Sequence, residues 1–325
     1  MPQLDDQNIL HLLDEQIGPG ESKIINLLSA NLYTNTKVKV PVIVERSNLP
    51  GPVVLITSGI HGDEFNGVEI VRQFISKKLN KPKKGTIICI PILNIFGFLK
   101  MDRYFPDGRD LNRSFPGFKK GSLASRFAYR FTHEILPVAT LCMDFHTGGA
   151  RRFNAPQIRI SKGDKESLKY AQIFNAPFTV YSKLLKNSYR SICVKNSIPY
   201  IIFEGGMTED NNKEIALQGV QGIMRVLKSL DMLEDQFKIK PAEKTTLFIT
   251  KTHWIRANYS GLIHHKTTIG GVIKKGEHVA TITDPYGSFK HLIKAKQEGY
   301  VININKGPLV FEGDAILNVS QKVEE

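Results

Sequence analysis

His61 and Glu64, three residues apart in the run Gly59-Ile60-His61-Gly62-Asp63-Glu64, are the side chains best suited to chemistry in this chain. An imidazole nitrogen and a carboxylate oxygen at that spacing suit a borderline cation such as Zn²⁺. A catalytic zinc takes a third protein ligand and keeps one position open for water. His146, followed by Thr147-Gly148-Gly149, is a candidate for that ligand. By pattern alone HxxE is common and also fits a structural pair. The glycines allow close backbone approach, and two glycine-flanked histidines at strand ends make a metal site as reasonable a reading as the structural one. The run is not the helical H-E-x-x-H motif, because Phe65 follows Glu64.

The elements that must position these groups are legible as an alternation of strands and helices. Residues 37–45, 52–57, 86–90, 139–145, 178–181 and 200–203 have the apolar content of strands. Residues 66–79, 122–136, 167–174, 189–196 and 211–230 have helical spacing or helix boundaries. His61 follows one apolar strand and His146 ends another, and open α/β sheets place their chemistry at strand carboxyl ends. Residues 96–118 read as a long irregular loop rich in Gly, Pro, Asp and Arg. From about residue 245 short runs separated by Gly, Asn and Pro turns predict an all-β module. The expected organisation is an α/β unit over residues 1–240 and a smaller β unit over 241–325.

Three arginines, Arg103, Arg109 and Arg113, fall within the long loop. They read as a basic surface loop, or, beside a metal, as forks for a carboxylate and for a developing oxyanion. Glu204 ends an apolar strand before Gly205-Gly206. It reads as a salt-bridge or helix-entry residue, or, beside a zinc-activated water, as a general base. Asp144 precedes His146 by two on one strand, so both point to one face. It is expected to orient an imidazole, with a second-metal role as the alternative. His133, His264, His265 and His278 read as structural or solvated.

The chain has 325 residues, 44 basic and 31 acidic, for a net charge of +13. The densest basic cluster, residues 77–84, reads as a solvated helix end. No zinc finger, RNA-recognition signature or basic zipper accompanies it, so no nucleic-acid partner is expected. Three cysteines without metal spacing read as buried thiols. The N-terminal MPQLDDQNIL shows no signal-peptide pattern, and no apolar stretch is long enough to span a bilayer. A cytoplasmic protein without a membrane partner is the expectation, and homo-oligomerisation is left open.

The ordered set GIHGDE, DLNRSFPG, DFHTGG and FEGG resembles the succinylglutamate desuccinylase/aspartoacylase family, which is related to zinc carboxypeptidases of the M14 type. The resemblance spans roughly residues 35 to 320. It implies a zinc-carboxypeptidase-like α/β/α core around a mixed sheet, with the C-terminal all-β domain capping the site. It implies one Zn²⁺ held by His61, Glu64 and His146, with Glu204 as catalytic glutamate and Arg103 polarising the scissile carbonyl. Asn112 and Arg113 match the pair that grips a substrate carboxylate. Arg190 resembles a further substrate arginine. A Pro-Asp-Gly-Arg insertion makes Arg109 a second claimant for the oxyanion, and Tyr286 could reach the site from the β domain. The implied activity is hydrolysis of the amide of a small anionic N-acylated amino acid or related metabolite. The alternatives are a carboxypeptidase acting on short peptides and a non-catalytic zinc-binding module.

Overall fold

A computed structural model describes residues 9–241 and 245–324. Most of the N-terminal segment read for a signal peptide, residues 1–8, lies outside the described residues. Strand Val53–Ser58 is buried along its whole length. Such a continuous apolar run is what a strand covered on both faces requires. It pairs in parallel with Thr86–Ile90 on one side and Leu141–Gly148 on the other, and Leu141–Gly148 pairs in parallel with Tyr200–Met207. Lys37–Arg46 and Ser22–Asn31 extend one edge antiparallel, and Arg152–Ile160 joins Tyr200–Met207 antiparallel on the other side. The sheet is therefore mixed, with a parallel centre.

The period-2 alternation of side chains divides two cores. Val53 and Leu55 join Ile88, Ile90, Cys142 and Tyr200 under helices Leu123–Arg130 and Tyr189–Lys195. Val54 and Ile56 join Ile87, Leu141, Met143 and Phe145 under helices Phe65–Ser76, Lys165–Phe174 and Lys213–Ser229. The result is a mixed α/β fold with a C-terminal β region.

That β region is continuous with the main sheet. Leu247–Arg256 pairs in parallel with Phe178–Tyr181 and antiparallel with Ala315–Glu324, which pairs with Gly299–Asn305. Gly299–Asn305 returns to pair with Arg152–Ile160, itself the parallel neighbour of Phe178–Tyr181. These strands close a ring around Ala155, Phe178, Val180, Ile249 and Ile302. A separate sheet of Lys290–Lys294, His278–Thr283, Gly261–His265 and Leu309–Val310 lies within the C-terminal region.

Several expected boundaries move. The loop at 96–118 opens with helix Ile95–Lys100, because the Asn94 side chain accepts from Gly97 N–H and caps it, and it contains a short turn of helix, Leu111–Arg113. Helix 122–136 is α-helical only over Leu123–Arg130. It then widens by one turn, and Pro137, which lacks an amide donor, falls in a tight final turn. The strand read as ending at Phe203 continues to Met207, with a register shift between Glu204 and Met207 that absorbs Gly205 and Gly206. Strand Arg152–Ile160 has no counterpart in the sequence reading, since its polar residues obscure the alternation. Among the described residues, no helix is long and apolar enough to cross a membrane.

Candidate functional site

Three adjacent parallel strands, Val53–Ser58, Leu141–Gly148 and Tyr200–Met207, deliver the site from their carboxyl ends. His61 and Glu64 lie in the turn after the first. His146 and Glu204 sit directly opposite each other on the other two. Gly62 is required in that turn, because a Cβ there would fall 1.9 Å from the Gly97 carbonyl carbon.

His61 Nδ1 lies 2.7 Å from Glu64 Oε1, and His146 Nδ1 lies 3.0 Å from Glu64 Oε2. One donor atom from each residue falls within 4.8 Å of the others, and all three residues are buried. The far nitrogen of each ring meets another carboxylate. His61 Nε2 is 3.2 Å from Asp110 Oδ1, and His146 Nε2 is 2.7 Å from Asp144 Oδ2. Asp144 is fully buried and also accepts from Thr57 Oγ1 and Tyr200 Oη, each at 2.7 Å. Glu64 Oε2 further accepts from Thr147 N–H at 3.1 Å.

This donor set fits a cation. If each imidazole donates through Nε2 to its carboxylate, both Nδ1 lone pairs and Glu64 point at one place. Burial opposes charge on His61, but Glu64 and Asp110 outweigh it and raise its pKa. For His146 burial is outweighed by Asp144 and Glu64, which hold it well above the ordinary histidine value. Burial also opposes charge on Glu64, yet the two imidazoles hold its carboxyl far below the carboxylate range. The field at this point favours positive charge, and imidazoles backed by carboxylates are common zinc ligands.

A cavity of about 650 Å³ opens over the cluster. Glu204 Oε2 in its wall accepts from Asn154 Nδ2 at 2.6 Å and faces Arg159 Nη2 at 3.3 Å. Arg103 lines the cavity with Nη2 2.7 Å from Asp110 Oδ2 and Nη1 3.6 Å from Glu64 Oε1. Arg113, Arg152, Arg159, Lys183 and Arg190 add further positive charge. Arg190 is buried and tethered to Ser182 Oγ and the Lys183 carbonyl at 2.8 and 2.7 Å. Asn112 accepts from Tyr189 N–H through Oδ1 at 2.9 Å, which turns its amide N–H groups away from that contact. Trp254 and Asn303 reach the cavity from the C-terminal region. Larger cavities of about 820 and 910 Å³ elsewhere contain neither the His61, Glu64 and His146 cluster nor Glu204.

The structure thus brings together His61, Glu64, His146, Asp144, Glu204, Arg103, Asn112, Arg113 and Arg190. It does not bring Arg109 or Tyr286 to the cavity. The Arg109 side chain is 63% exposed, 3.8 Å from Asp107, beside a turn glycine with φ +74°. Tyr286 is 90% exposed and precedes another turn glycine. Asp110, Asn154 and Arg159 belong to the site without having been singled out. The signal for Asp110 was its place beside Leu111-Asn112-Arg113 in a loop already picked out for arginine chemistry.

A family model for the succinylglutamate desuccinylase/aspartoacylase catalytic domain matches residues 50–230. The chain is 24% identical over 298 residues to the N-alpha-acetyl-L-2,4-diaminobutyric acid deacetylase of Halomonas elongata, covering 88% of this chain and 87% of that one. Its fold is that of a succinylglutamate desuccinylase/aspartoacylase from Rhodobacter sphaeroides (TM-score 0.80, 24% identity, 94% and 96% of the two chains). It is equally that of the product-bound ectoine utilization protein EutE (DoeB) from Ruegeria pomeroyi (TM-score 0.81, 22% identity, 98% and 100%).

Proposed function

This chain belongs to the succinylglutamate desuccinylase/aspartoacylase family, and from that premise we propose that it is a zinc-dependent amidohydrolase that deacylates a small, anionic N-acyl amino acid or related metabolite. The observation that carries the proposal is the convergence of His61 Nδ1, His146 Nδ1 and the Glu64 carboxylate beneath a cavity walled by Glu204 and arginines. His61, Glu64 and His146 would hold the ion. Bound there, Zn²⁺ would supply Lewis acidity toward the acyl carbonyl and lower the pKa of water.

The chain's own residues do the rest. Glu204, with Oε2 occupied by Asn154 and Arg159, presents Oε1 to take a proton from the attacking water. The acyl carbon gains a C–O bond and loses its C–N bond, and Glu204 returns the proton to the departing nitrogen. The products are a carboxylate and a free amine. Arg103, fixed by Asp110, faces the developing oxyanion. Arg113 and the Asn112 amide take the substrate carboxylate, with Arg190 as a further contact. The relative from Halomonas elongata is named for deacetylating an acetylated diamino acid, which supports an N-acyl amino acid substrate.

The same reading covers the architecture. Residues 1–240 form a zinc-carboxypeptidase-like catalytic unit and residues 241–325 a β unit that caps it, supported by Trp254 and Asn303 in the cavity wall. A cytoplasmic location belongs to the reading as well. The test is a hydrolysis screen of the zinc-loaded protein against N-acetyl and N-succinyl amino acids and dipeptides. Amine release is expected from N-acyl amino acids, and Glu204→Gln is expected to keep stoichiometric zinc while losing most turnover. Stoichiometric zinc with no hydrolysis anywhere in the panel would overturn the proposal. Faster release from dipeptides would shift it to a peptidase.

A further inference from the structure

The C-terminal region does more than wall the cavity, because its side chain at position 303 ends a hydrogen-bond chain on Glu204. Asn303 and Asn154 sit directly opposite each other where Gly299–Asn305 pairs with Arg152–Ile160. Asn303 Nδ2 donates to Asn154 Oδ1 at 2.5 Å, and Asn154 Nδ2 donates to Glu204 Oε2 at 2.6 Å. Both asparagines are buried, at 2% and 6% exposure for Asn154 and Asn303.

An amide presents an acceptor on one side and donors on the other. Asn154 can give its N–H to Glu204 only while its oxygen faces away. The donor that holds the oxygen there is Asn303. Without it the Asn154 amide is anchored at one end only, and its N–H is free to shift from the Glu204 oxygen. For packing alone an apolar side chain would serve at position 303, since Asn303 Oδ1 is buried without a hydrogen-bond partner.

We propose that Asn303 and Asn154 are positioning residues that pin one oxygen of Glu204 and leave the other to carry the proton, so that the C-terminal region sets the geometry of the general base. The inference rests on the catalytic role given to Glu204 above. Neither asparagine needs to touch the reacting atoms.

The test uses the zinc-loaded full chain with Asn303→Leu, Asn154→Ala and Glu204→Gln, singly and in pairs. The substrate is N-alpha-acetyl-L-2,4-diaminobutyrate, or the N-acyl amino acid cleaved fastest in the screen. Asn154→Ala should lower kcat by about ten- to hundredfold, the scale of a displaced catalytic group, with KM within about twofold. Asn303→Leu should lower kcat by about three- to tenfold with zinc content and KM as in wild type, a split that a merely structural residue would not give. In the Asn154→Ala background, Asn303→Leu should have no further effect, since the chain is already broken. An equal loss of kcat in that background, or wild-type kcat in Asn303→Leu, overturns the proposal.

A second readout separates this from the deacylase reading. In urea unfolding, Glu204→Gln and Asn303→Leu do not touch, yet their midpoint shifts should be non-additive when Asn154 is present and additive in Asn154→Ala. Additivity in both backgrounds overturns the chain of contacts whether or not any substrate is cleaved. Non-additivity with no hydrolysis in the screen would sink the catalytic reading while leaving the contacts standing.

Discussion

Asp144→Asn tests the proposed metal site through a residue that backs one of its ligands. The substitution changes one oxygen to an amide nitrogen and keeps the volume. Asp144 Oδ1 can go on accepting from Thr57. Where the new amide nitrogen takes the place of Oδ2, it meets Tyr200 Oη and His146 Nε2, both of which donate to that oxygen at 2.7 Å in the wild type. The tyrosine hydroxyl can rotate and accept. The imidazole can accept through Nε2 only by moving its proton to Nδ1, which lies 3.0 Å from Glu64 Oε2. That proton then occupies the lone pair a metal needs. A lost hydrogen bond to a charged group is worth about 1.5–3 kcal/mol. Loss of the carboxylate behind a zinc-bound histidine typically weakens metal affinity about 10- to 100-fold, which is about 1.4–2.7 kcal/mol. The two routes agree. Zinc affinity measured by competition with a chromogenic chelator should therefore fall by that factor, with circular dichroism confirming an intact fold. A dissociation constant within about twofold of wild type in a folded variant would show that Asp144 does not fix the His146 tautomer.

Three further outcomes follow from the packing and the site. Gly67→Ala should lower stability by about 1–3 kcal/mol in urea unfolding, because its Cβ would meet the Phe145 carbonyl oxygen at 2.3 Å and backbone cannot yield cheaply; an unchanged midpoint would contradict the close helix–strand approach. Native protein at pH 8 should give no reaction with Ellman's reagent and all three thiols in denaturant. Cys89, Cys142 and Cys193 are buried, and burial pushes the Cys89 and Cys193 thiols up, so the thiolate fraction shrinks; a rapidly titrating native thiol would refute this. Arg103→Ala should reduce kcat by about 10²- to 10³-fold if its guanidinium meets the oxyanion, whereas a rise in KM alone would assign it to ground-state binding.

The centre of the fold was readable because burial on both faces leaves continuous apolar runs, and the runs at 52–57, 86–90 and 139–145 became its parallel strands. The polar strand Arg152–Ile160 was not readable. Arg152, Asn154 and Arg159 face the cavity, so a polar lining has replaced the apolar pattern that would announce a strand. Type and position separate most clearly at Arg109 and Tyr286. Both have the right chemistry, and both stand at glycine turns that carry them into solvent.

Partnership across the chain is the least legible level, and the charge distribution shows why it matters. The net charge of +13 looks diffuse along the sequence. Folded, Arg103, Arg113, Arg152, Arg159, Lys183 and Arg190 come from several segments far apart in the chain to line one cavity that also holds Asp63, Glu64 and Glu204. Local spacing cannot reveal this, because the strand register that brings Asn154 opposite Asn303 spans 149 residues. The same closure places Trp254, the single tryptophan, near Arg152 at 5.6 Å in that wall. In the proposed reading, this cationic wall over the His61, Glu64 and His146 cluster draws in an anionic substrate and presents its acyl group to Glu204. The fold's contribution to chemistry is therefore the ring of strands that joins the C-terminal region to the parallel sheet, and residues on both sides of that junction must be intact for the site to be whole.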